Sequence, residues 1–407
     1  MTSDSAREAA SNLSYYTKGD VLEVKIEKIV PRGFGLAFAE NLTILVPLSA
    51  PGDVLRVRVR EIKKRTAFAE IVDIIKPGPK RAAPPCGLYG VCGGCDLQHL
   101  KYLAQLEVKA GIIRDSLSRL GKIDFEGEIP MIASPNEFEY RSRARWHIDR
   151  AKQAIGYLKR NSHSVVDITA CPILTPGMSS TLDYLRIGLD WNAFHGARPE
   201  IEAVSGADGR ISTWSKDLKE PAAETDIQIG GETYAYTAAT FFQANRFLIE
   251  KLIEVAIGDA EGELAFDLYC GVGLFTLPLA RRFSKVFGTE ENKSAIDLAK
   301  KNAAVAGLEN ATFYAKGVEK FLSTNKKKNV DLVLIDPPRA GTEKDTISML
   351  ANLRPARIAY VSCEPSILAR DLRSLIDAGY KIDLITGLDM FPQTHHIETV
   401  AHLSAEA

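Results

Sequence analysis

The stretch ELAFDLYCGVG (263–273) decides the fold, because a short apolar run ends in a glycine turn and a helical pattern follows it. Such a sequence is typical of a strand that feeds a helix across a tight turn. Comparable strand patterns, separated by helical segments, recur at 285–290, 311–317, 330–338 and 357–363. This alternation predicts a doubly wound parallel α/β sheet over residues 236–407, with its ligands beyond the carboxyl ends of the strands.

The N-terminal part of the chain has a different pattern, made of short β-type runs at 21–30, 42–48, 54–62 and 66–75. Several short strands at regular spacing predict a small β-barrel over residues 17–78, preceded by a disordered tail at 1–16. Residues 18–81 hold 13 basic and 8 acidic side chains, a local charge of +5. Arg56, Arg58 and Arg60 alternate and share one strand face. This favours nucleic-acid binding, although a solvated edge strand guarded by charge would have the same pattern.

Composition excludes several classes of protein. The 407 residues are 45% apolar and 25% charged, as in globular proteins and unlike disordered chains or fibres. No run approaches the ~18 apolar residues of a membrane span, and no secretory signal is visible, so we expect a cytoplasmic protein that does not bind a membrane. The 51 basic and 52 acidic residues give a charge of -1. Any RNA contact is therefore expected on part of the surface only, and we expect a monomer.

The middle of the chain, residues 79–235, is predicted to be a mixed, mostly β domain that follows a Pro/Lys-rich linker (76–85). An amphipathic helix is expected over 98–121, where Gly121 ends it. Further on, Arg141, Arg143 and Arg145 alternate in EYRSRARWHIDR (139–150). Such a strand usually faces solvent, and beside a basic barrel it is a candidate RNA-contacting strand.

The candidate site residues follow the predicted parallel strands. Gly271 lets the backbone approach a nucleoside, and Glu290, 19 residues later, fits a ribose-binding acid. The third glycine of the dinucleotide pattern is missing, so S-adenosylmethionine suits this turn better than NAD. Asp336 and Cys363 end two further strands and are expected to point into the same crevice. Cys270 is expected to be a buried packing residue.

These residues carry a resemblance to a known family. DLYCGVG (267–273), DPPRAG (336–341), SCEP (362–365) and FPQTHHIETV (391–400), in this order, resemble the S-adenosylmethionine-dependent RNA uracil-5-methyltransferases. FFQAN (241–245) resembles the entry to the family's Rossmann-like methyltransferase domain, and the predicted barrel resembles its RNA-binding TRAM domain. The resemblance implies that Cys363 is a nucleophile and Glu398 a base. It also implies that Gln243, Tyr269, Glu290 and Asp336 contact the methyl donor or the target base.

The implied reaction requires both a thiol and a base. C5 of uracil is a poor nucleophile until a thiolate adds to C6, and the C5 proton must leave before the thiol can be eliminated. Two residues depart from the family pattern. Leu274 stands where the family often has Asn, which removes one hydrogen bond to the donor. Glu364 replaces an Asn beside Cys363, and an inward carboxylate would oppose thiolate formation.

The remaining cysteines form a possible metal-binding quartet, Cys86, Cys92, Cys95 and Cys171. Their spacing fits neither a zinc ribbon nor the ferredoxin run, and from chemistry alone iron–sulfur, zinc and unrelated buried thiols stay open. The resemblance implies a [4Fe–4S] cluster with a structural or RNA-positioning role. A second metal site at His395, His396 and Glu398 is a weak interpretation, because the spacing is not helical.

Other functions remain as alternatives. An amino-methylating RNA or DNA methyltransferase also has an Asp/Asn-Pro-Pro motif but needs no thiol, and a cytosine-5 enzyme would carry a Pro-Cys motif. A non-catalytic RNA chaperone or ribosome-assembly factor is a third class, and an iron–sulfur redox enzyme a fourth. Within the resembled family the substrate is either 23S ribosomal RNA or transfer RNA. The barrel together with the cysteine quartet favours 23S ribosomal RNA by analogy.

Overall fold

The computed structural model describes residues 16–406, which divide into two compact units. The first unit holds residues up to Gly90, together with Cys95–Val108 and Gln393–His395, and the second holds Val91–Gly94, Lys109–Pro392 and the chain from His396. Residues 1–15 of the predicted tail lie outside the described residues. Tyr16, which the prediction also assigned to the tail, packs against the hydrophobic core of the first unit.

The first unit is built on a six-stranded sheet in the order β1-β5-β6-β4-β3-β2. Its neighbouring strands are antiparallel except β4 and β6, which are parallel. Alternate residues of the strands face a shared core that includes Val24, Ile44 and Val57. The strands are β1 (Val21–Lys25), β2 (Lys28–Val30), β3 (Phe34–Ala39), β4 (Leu42–Pro47), β5 (Val54–Lys63) and β6 (Thr66–Lys76).

Two features of this sheet differ from the sequence prediction. The run 21–30 is two strands, because the chain breaks at Ile26 and Glu27 to pair with different neighbours. Strand β3 was not predicted, since FGLAFA is nearly uniformly apolar and lacks alternation. The predicted arginine face on β5 is present, because Arg56, Arg58 and Arg60 are all exposed. They form exposed ion pairs with Asp73 and Glu70 on β6, which contribute little to stability.

Helix α1 (Tyr102–Ser116) is continued by a wider π turn over Leu117–Gly121. The left-handed residue that ends it is Lys122, with φ of 53°, and not the predicted Gly121. Gly121 is needed for a different reason, because a Cβ there would lie 2.7 Å from the carbonyl oxygen of Ala369.

The middle of the second unit is a five-stranded sheet in the order β10-β9-β8-β11-β12, accompanied by a two-stranded hairpin. Arg143 and Arg145 of β8 both pair with Glu202 of the neighbouring β11. The predicted RNA-contacting strand is therefore partly neutralised within the protein. The elements are β8 (Arg143–Asp149), β9 (Ala154–Leu158), β10 (Val165–Asp167), α2 (Pro176–Gly188), β11 (Glu200–Ser205), β12 (Ile211–Trp214), β13 (Thr225–Ile229) and β14 (Glu232–Tyr236).

The rest of the second unit is an eight-stranded sheet in the order β17-β16-β15-β18-β19-β21-β20-β7. Strands β15 to β19 are parallel, as predicted, but β21 is antiparallel to both β19 and β20. Strand β20, the short β7 and helices α6 and α7 were not predicted. The strands are β7 (Met131–Ile132), β15 (Gly262–Leu268), β16 (Phe283–Glu290), β17 (Ala311–Ala315), β18 (Leu332–Ile335), β19 (Arg357–Ser362), β20 (Tyr380–Leu388) and β21 (Glu398–Ala405).

Helices α3 to α8 connect these strands and pack against the sheet. Asn292 caps α5, where its side chain accepts hydrogen bonds from the backbone N–H groups of Ser294 and Ala295. The helices are α3 (Ile249–Ile257), α4 (Thr276–Ala280), α5 (Lys293–Val305), α6 (Val318–Asn325), α7 (Thr346–Leu353) and α8 (Pro365–Asp377). Between residues 16 and 406, none of the helices has the length and apolar character needed to cross a membrane.

Candidate active site

A glycine turn follows β15 at the point where the strand order reverses between β16 and β18. Tyr269, Gly271 and Gly273 all have positive φ, at 63°, 52° and 92°. A Cβ placed on Gly271 would meet no atom within 4 Å, so this turn borders open space. Tyr269 holds a backbone conformation that is uncommon for a non-glycine residue, as is frequent at functional sites. The turn therefore offers exposed backbone to a ligand at the switch point of the sheet.

Asp267 lies at the base of this turn and is fully buried. Thr276 Oγ1 donates a hydrogen bond to its Oδ2, whereas its Oδ1 has no partner among the described residues. Burial, followed by the nearby charges of Asp336 and Glu290, raises the pKa of Asp267 to about 7, and hydrogen bonds from Thr276 oppose the shift. A buried acceptor without a partner fits a ligand that carries hydrogen-bond donors or positive charge. Sequence reasoning did not assign a role to this residue.

Two other predicted ligand contacts, Tyr269 and Glu290, lie in or near the same turn. Glu290 is the last residue of β16, and its carboxylate accepts a hydrogen bond of 2.8 Å from the Asn292 N–H. The Tyr269 hydroxyl donates to Glu343, and burial and this carboxylate raise the pKa of the phenol. Gln243 is 4% exposed and precedes α3. The Leu274 side chain packs in the hydrophobic core, as expected of a leucine in place of the family's Asn.

Cys363 and Glu398 lie at the ends of two neighbouring strands: Cys363 directly follows β19, and Glu398 is the first residue of β21. In the antiparallel pairing of β19 and β21, Ser362 is opposite Thr399. Cys363 follows Ser362 and Glu398 precedes Thr399, so these two residues occupy the next opposing positions in the same register. Glu398 is 3% exposed and Cys363 is half-buried. Glu398 also acts electrostatically on the Cys363 thiol, so the two groups are close enough to interact.

Burial first, and then the carboxylates around it, raise the pKa of the Cys363 thiol to about 12. Glu398, Asp336 and Glu364 all contribute in this direction, and Arg339 opposes them. The thiol is therefore protonated at neutral pH in the absence of ligands. Arg339 belongs to the DPPR sequence, but sequence reasoning did not single it out; a cation beside a strand-end acid was the available signal.

Glu364 replaces the asparagine of the family pattern, and the structure gives it a local hydrogen-bond partner. Ser366 Oγ donates to its Oε1 at 2.7 Å, across the first turn of α8. Pro365 occupies the first helical position, where its missing N–H is not needed. The Glu364 carboxylate still contributes to the raised pKa of Cys363, behind the three other causes that involve charge.

Two further carboxylates of the site are also held towards their neutral forms. Burial raises the pKa of Asp336. Burial, and then the charge of Asp336, raise the pKa of Glu398 well above its usual range, while Arg339 lowers it. The site therefore combines a thiol, a buried carboxyl and one guanidinium that favours the ionised form of both.

The remaining cysteines occupy different environments. Cys270 is 3% exposed, and its Sγ would lie 3.0 Å from a Cβ on Gly288, which agrees with a packing residue. Cys86, Cys92, Cys95 and Cys171 are all half-buried. Across residues 16–406, no group of three or more His, Cys, Asp or Glu side chains is arranged to hold a metal ion. Over these residues the structure therefore shows neither the predicted cluster nor a metal site at His395, His396 and Glu398.

Fold and site together are those of a Rossmann-like α/β domain with a glycine turn at the switch point of its sheet and with a thiol and a carboxyl at the ends of two neighbouring strands. Comparisons with known proteins agree. Residues 209–406 match the family described as tRNA (uracil-5-)-methyltransferase. Residues 22–79 match the TRAM domain of tRNA (uracil(54)-C(5))-methyltransferase.

Individual relatives cover nearly the whole chain. The 23S rRNA (uracil(1939)-C(5))-methyltransferase RlmD of Psychromonas ingrahamii is 31% identical over 93% of this chain and 95% of its own length. RlmD of Shewanella amazonensis is 30% identical with the same coverage. The structure of the Pyrococcus abyssi tRNA (uracil-54, C5)-methyltransferase with S-adenosyl-L-homocysteine has a TM-score of 0.71 and 27% identity, and covers 94% of this chain and 100% of that one.

The chain belongs to the RNA uracil-5-methyltransferase family. It is an S-adenosylmethionine-dependent enzyme that methylates C5 of uridine in RNA. The predicted fold is confirmed: an N-terminal TRAM domain, a mixed β-rich region and a Rossmann-like methyltransferase domain.

Proposed function

We propose that this enzyme methylates a uridine of 23S ribosomal RNA through a covalent bond between Cys363 and C6 of the base. The mechanism is supported by the antiparallel pairing of Ser362 with Thr399, which makes Cys363 and Glu398 the next opposing residues at the ends of β19 and β21, and by the charge of Glu398, which acts on the Cys363 thiol. One thiol and one base are the covalent and proton-transfer groups that C5 methylation requires.

In the proposed reaction the Cys363 thiol first loses its proton to water. The thiolate then adds to C6, and the electron pair of the C5–C6 double bond shifts towards C5 and O4. When bound, S-adenosylmethionine supplies an electrophilic methyl group to C5. Glu398 then accepts the C5 proton, the C5–C6 double bond re-forms, and the bond between Sγ and C6 breaks to release the thiolate. Arg339 supports this sequence because its charge favours the thiolate of Cys363 and the carboxylate of Glu398.

The methyl donor is proposed to bind at the glycine turn. Gly271 leaves open space beside the backbone, and Asp267 Oδ1 is a buried acceptor without a partner among the described residues. Glu290 at the end of β16 suits the ribose hydroxyls. Gln243, Tyr269 and Asp336 are proposed contacts of the donor or of the target base.

Replacing Glu398 with Gln tests the mechanism, because the C5 proton then has no acceptor and the adduct cannot be released. We expect Glu398→Gln to accumulate an RNA–protein complex that survives denaturing gel electrophoresis. Cys363→Ala should form neither this complex nor product. If Cys363→Ala keeps its turnover, the covalent mechanism is wrong, and an enzyme that needs no thiol is favoured.

The choice of 23S ribosomal RNA is supported by the RlmD relatives, which match along most of the chain. Transfer RNA is the second candidate, because the Pyrococcus abyssi enzyme is described as a tRNA methyltransferase. Mapping 5-methyluridine in both RNA classes, in cells with and without this protein, distinguishes them. Loss of one site in 23S ribosomal RNA supports the proposal, and loss only in transfer RNA overturns it.

The [4Fe–4S] cluster on Cys86, Cys92, Cys95 and Cys171 remains a proposal that rests on the family resemblance. No step of the reaction depends on it. We expect anaerobically purified protein to be brown, with four iron atoms per chain. Colourless protein, with or without one zinc ion, would contradict the cluster. A cytoplasmic location and a monomeric state also remain proposals, which fractionation and light scattering would test.

A further inference from the structure

A cleft of about 460 Å³ opens on the middle of the second unit. Its walls are the end of β8 with the turn into β9, the segment before β10, and residues 194–199. None of its lining residues belongs to the candidate active site. The cleft is thus a separate concave surface within the region that was predicted to contact RNA.

The cleft is lined predominantly by positive charge. Arg150, Lys152 and Arg198 line it and are exposed, and His147 and His163 add imidazole groups. Asp149 is the acidic residue of the lining, and it pairs with Lys152 at 3.2 Å. The lining therefore carries a net charge of about +2 when both histidines are neutral, since three cations face one carboxylate.

The two guanidinium groups of the cleft, those of Arg150 and Arg198, differ from the arginines that the sequence indicated. Arg143 and Arg145 pair with Glu202 on the adjacent strand, so that carboxylate already occupies their donors. Arg198, in contrast, forms no ion pair within residues 16–406. Arg150 donates to the carbonyl oxygen of Phe194 at 3.1 Å, which fixes the guanidinium at the cleft wall.

We propose that this cleft binds the phosphate backbone of the RNA substrate, away from the target uridine. The proposal rests on the proposed function, because the RNA is the polyanion that this enzyme must hold. Exposed guanidinium and ammonium groups on a concave surface suit phosphate oxygens, and such contacts position an RNA without reading its sequence. Direct hydrogen bonds to phosphate from Lys152 and Arg198 are the expected contacts.

The test replaces both side chains in the full-length enzyme, as Lys152→Gln with Arg198→Gln. We expect RNA affinity to fall about 5- to 30-fold near 0.1 M salt. The plot of the logarithm of the RNA binding constant against the logarithm of the salt concentration should become less steep by about 1.5, for two lost phosphate contacts. The loss of affinity should also appear as a higher KM for RNA. A matched control, Lys216→Gln with Lys219→Gln, removes two exposed lysines of the same region that do not line the cleft.

The outcomes separate this proposal from the proposed function. The proposal that the cleft binds RNA would be wrong if the cleft variant kept its RNA affinity and salt dependence. It would also be wrong if the control variant lost as much RNA affinity as the cleft variant. A charge-preserving variant, Lys152→Arg with Arg198→Lys, should bind RNA nearly as well as the wild type. A third outcome separates the two proposals. If the wild-type enzyme forms no 5-methyluridine in 23S ribosomal RNA, but RNA affinity falls in the cleft variant and not in the control, the proposed substrate is wrong and the cleft proposal is supported.

Discussion

Individual side chains of the site were predictable from sequence only where a motif marks them. Cys363 directly follows β19 and Glu398 begins β21, both within motifs of the family, and the strand register makes them opposing positions. Asp267 was overlooked because an aspartate in an apolar strand gives no sign of whether its oxygens find partners. Arg339 was overlooked for a similar reason, since its effect on the thiol depends on the fold of the loop after β18.

At the scale of single charges, the pKa of Cys363 should respond to its neighbours. Glu364→Gln removes a carboxylate but keeps an acceptor for Ser366, so the thiol pKa should fall. We expect alkylation of Cys363 by iodoacetamide between pH 7 and 9 to become about 2- to 10-fold faster, since one pKa unit is tenfold in thiolate. Arg339→Gln should make it slower. Mass spectrometry of the Cys363 peptide measures both rates.

A control variant separates this local effect from a general change in charge. Glu261→Gln removes an exposed carboxylate near the start of β15, at the opposite end of the strand from the glycine turn. The rate of Cys363 alkylation in Glu261→Gln should equal that in the wild type. If Glu364→Gln leaves the rate unchanged as well, Glu364 does not act on the nucleophile.

At the scale of elements, the sequence predicted those strands that end in recognisable motifs and missed those that do not. The parallel strands β15 to β19 each carry an apolar run and a marked end. Strand β20 shows no regular alternation of exposure, and β21, which follows it, pairs both with β20 and with β19, which lies earlier in the chain. The antiparallel position of β21 between β19 and β20 is therefore a tertiary outcome that local pattern does not encode.

A buried ion pair fixes the segment that follows β20. Lys109 and Asp389 are both fully buried, and the Lys109 Nζ donates to Asp389 Oδ1 at 2.5 Å and to the Phe391 carbonyl oxygen at 3.0 Å. Leu388, just before this segment, pairs with Glu398 across the two strands. The ion pair therefore holds the backbone beside the proposed base.

Removing one partner should be far more damaging than removing both. Lys109→Met leaves a buried, uncompensated carboxylate, and we expect the free energy of unfolding to fall by about 3–5 kcal/mol. The double variant Lys109→Met with Asp389→Leu should lose much less, because no unpaired charge remains. Urea unfolding monitored by tryptophan fluorescence measures both. If the double variant is as unstable as the single one, the ion pair stabilises the fold by its own attraction.

At the scale of the whole molecule, net charge was a poor guide to function. The total of -1 conceals a basic barrel segment of +5 and a cleft lined by cations. It also conceals how many of those cations are already paired, as Arg143 and Arg145 show. Sequence can count charges along the chain, but only the fold decides which of them remain available to a polyanion.

The buried carboxyl of Asp267 should also make folding stability depend on pH. In the unfolded chain an aspartate loses its proton near pH 3.8, whereas in the folded protein Asp267 keeps it until about pH 7. Between these values the folded state binds more protons, so the free energy of unfolding falls as pH rises and levels off above about pH 7. The asparagine of Asp267→Asn cannot ionise, so this variant should lack the pH-dependent part of the free energy of unfolding that Asp267 contributes. That part amounts to a few kcal/mol for a pKa shift of this size.

The three tryptophans, Trp146, Trp191 and Trp214, all lie in the second unit with Asp267, so their fluorescence follows its unfolding. We expect the stability of Asp267→Asn relative to the wild type to increase between pH 5 and pH 8 in urea titrations without S-adenosylmethionine. A difference independent of pH would mean that Asp267 is already ionised at pH 5 in the folded protein. In that case its unpartnered oxygen carries a permanent charge, and donor binding should not change with pH through this group.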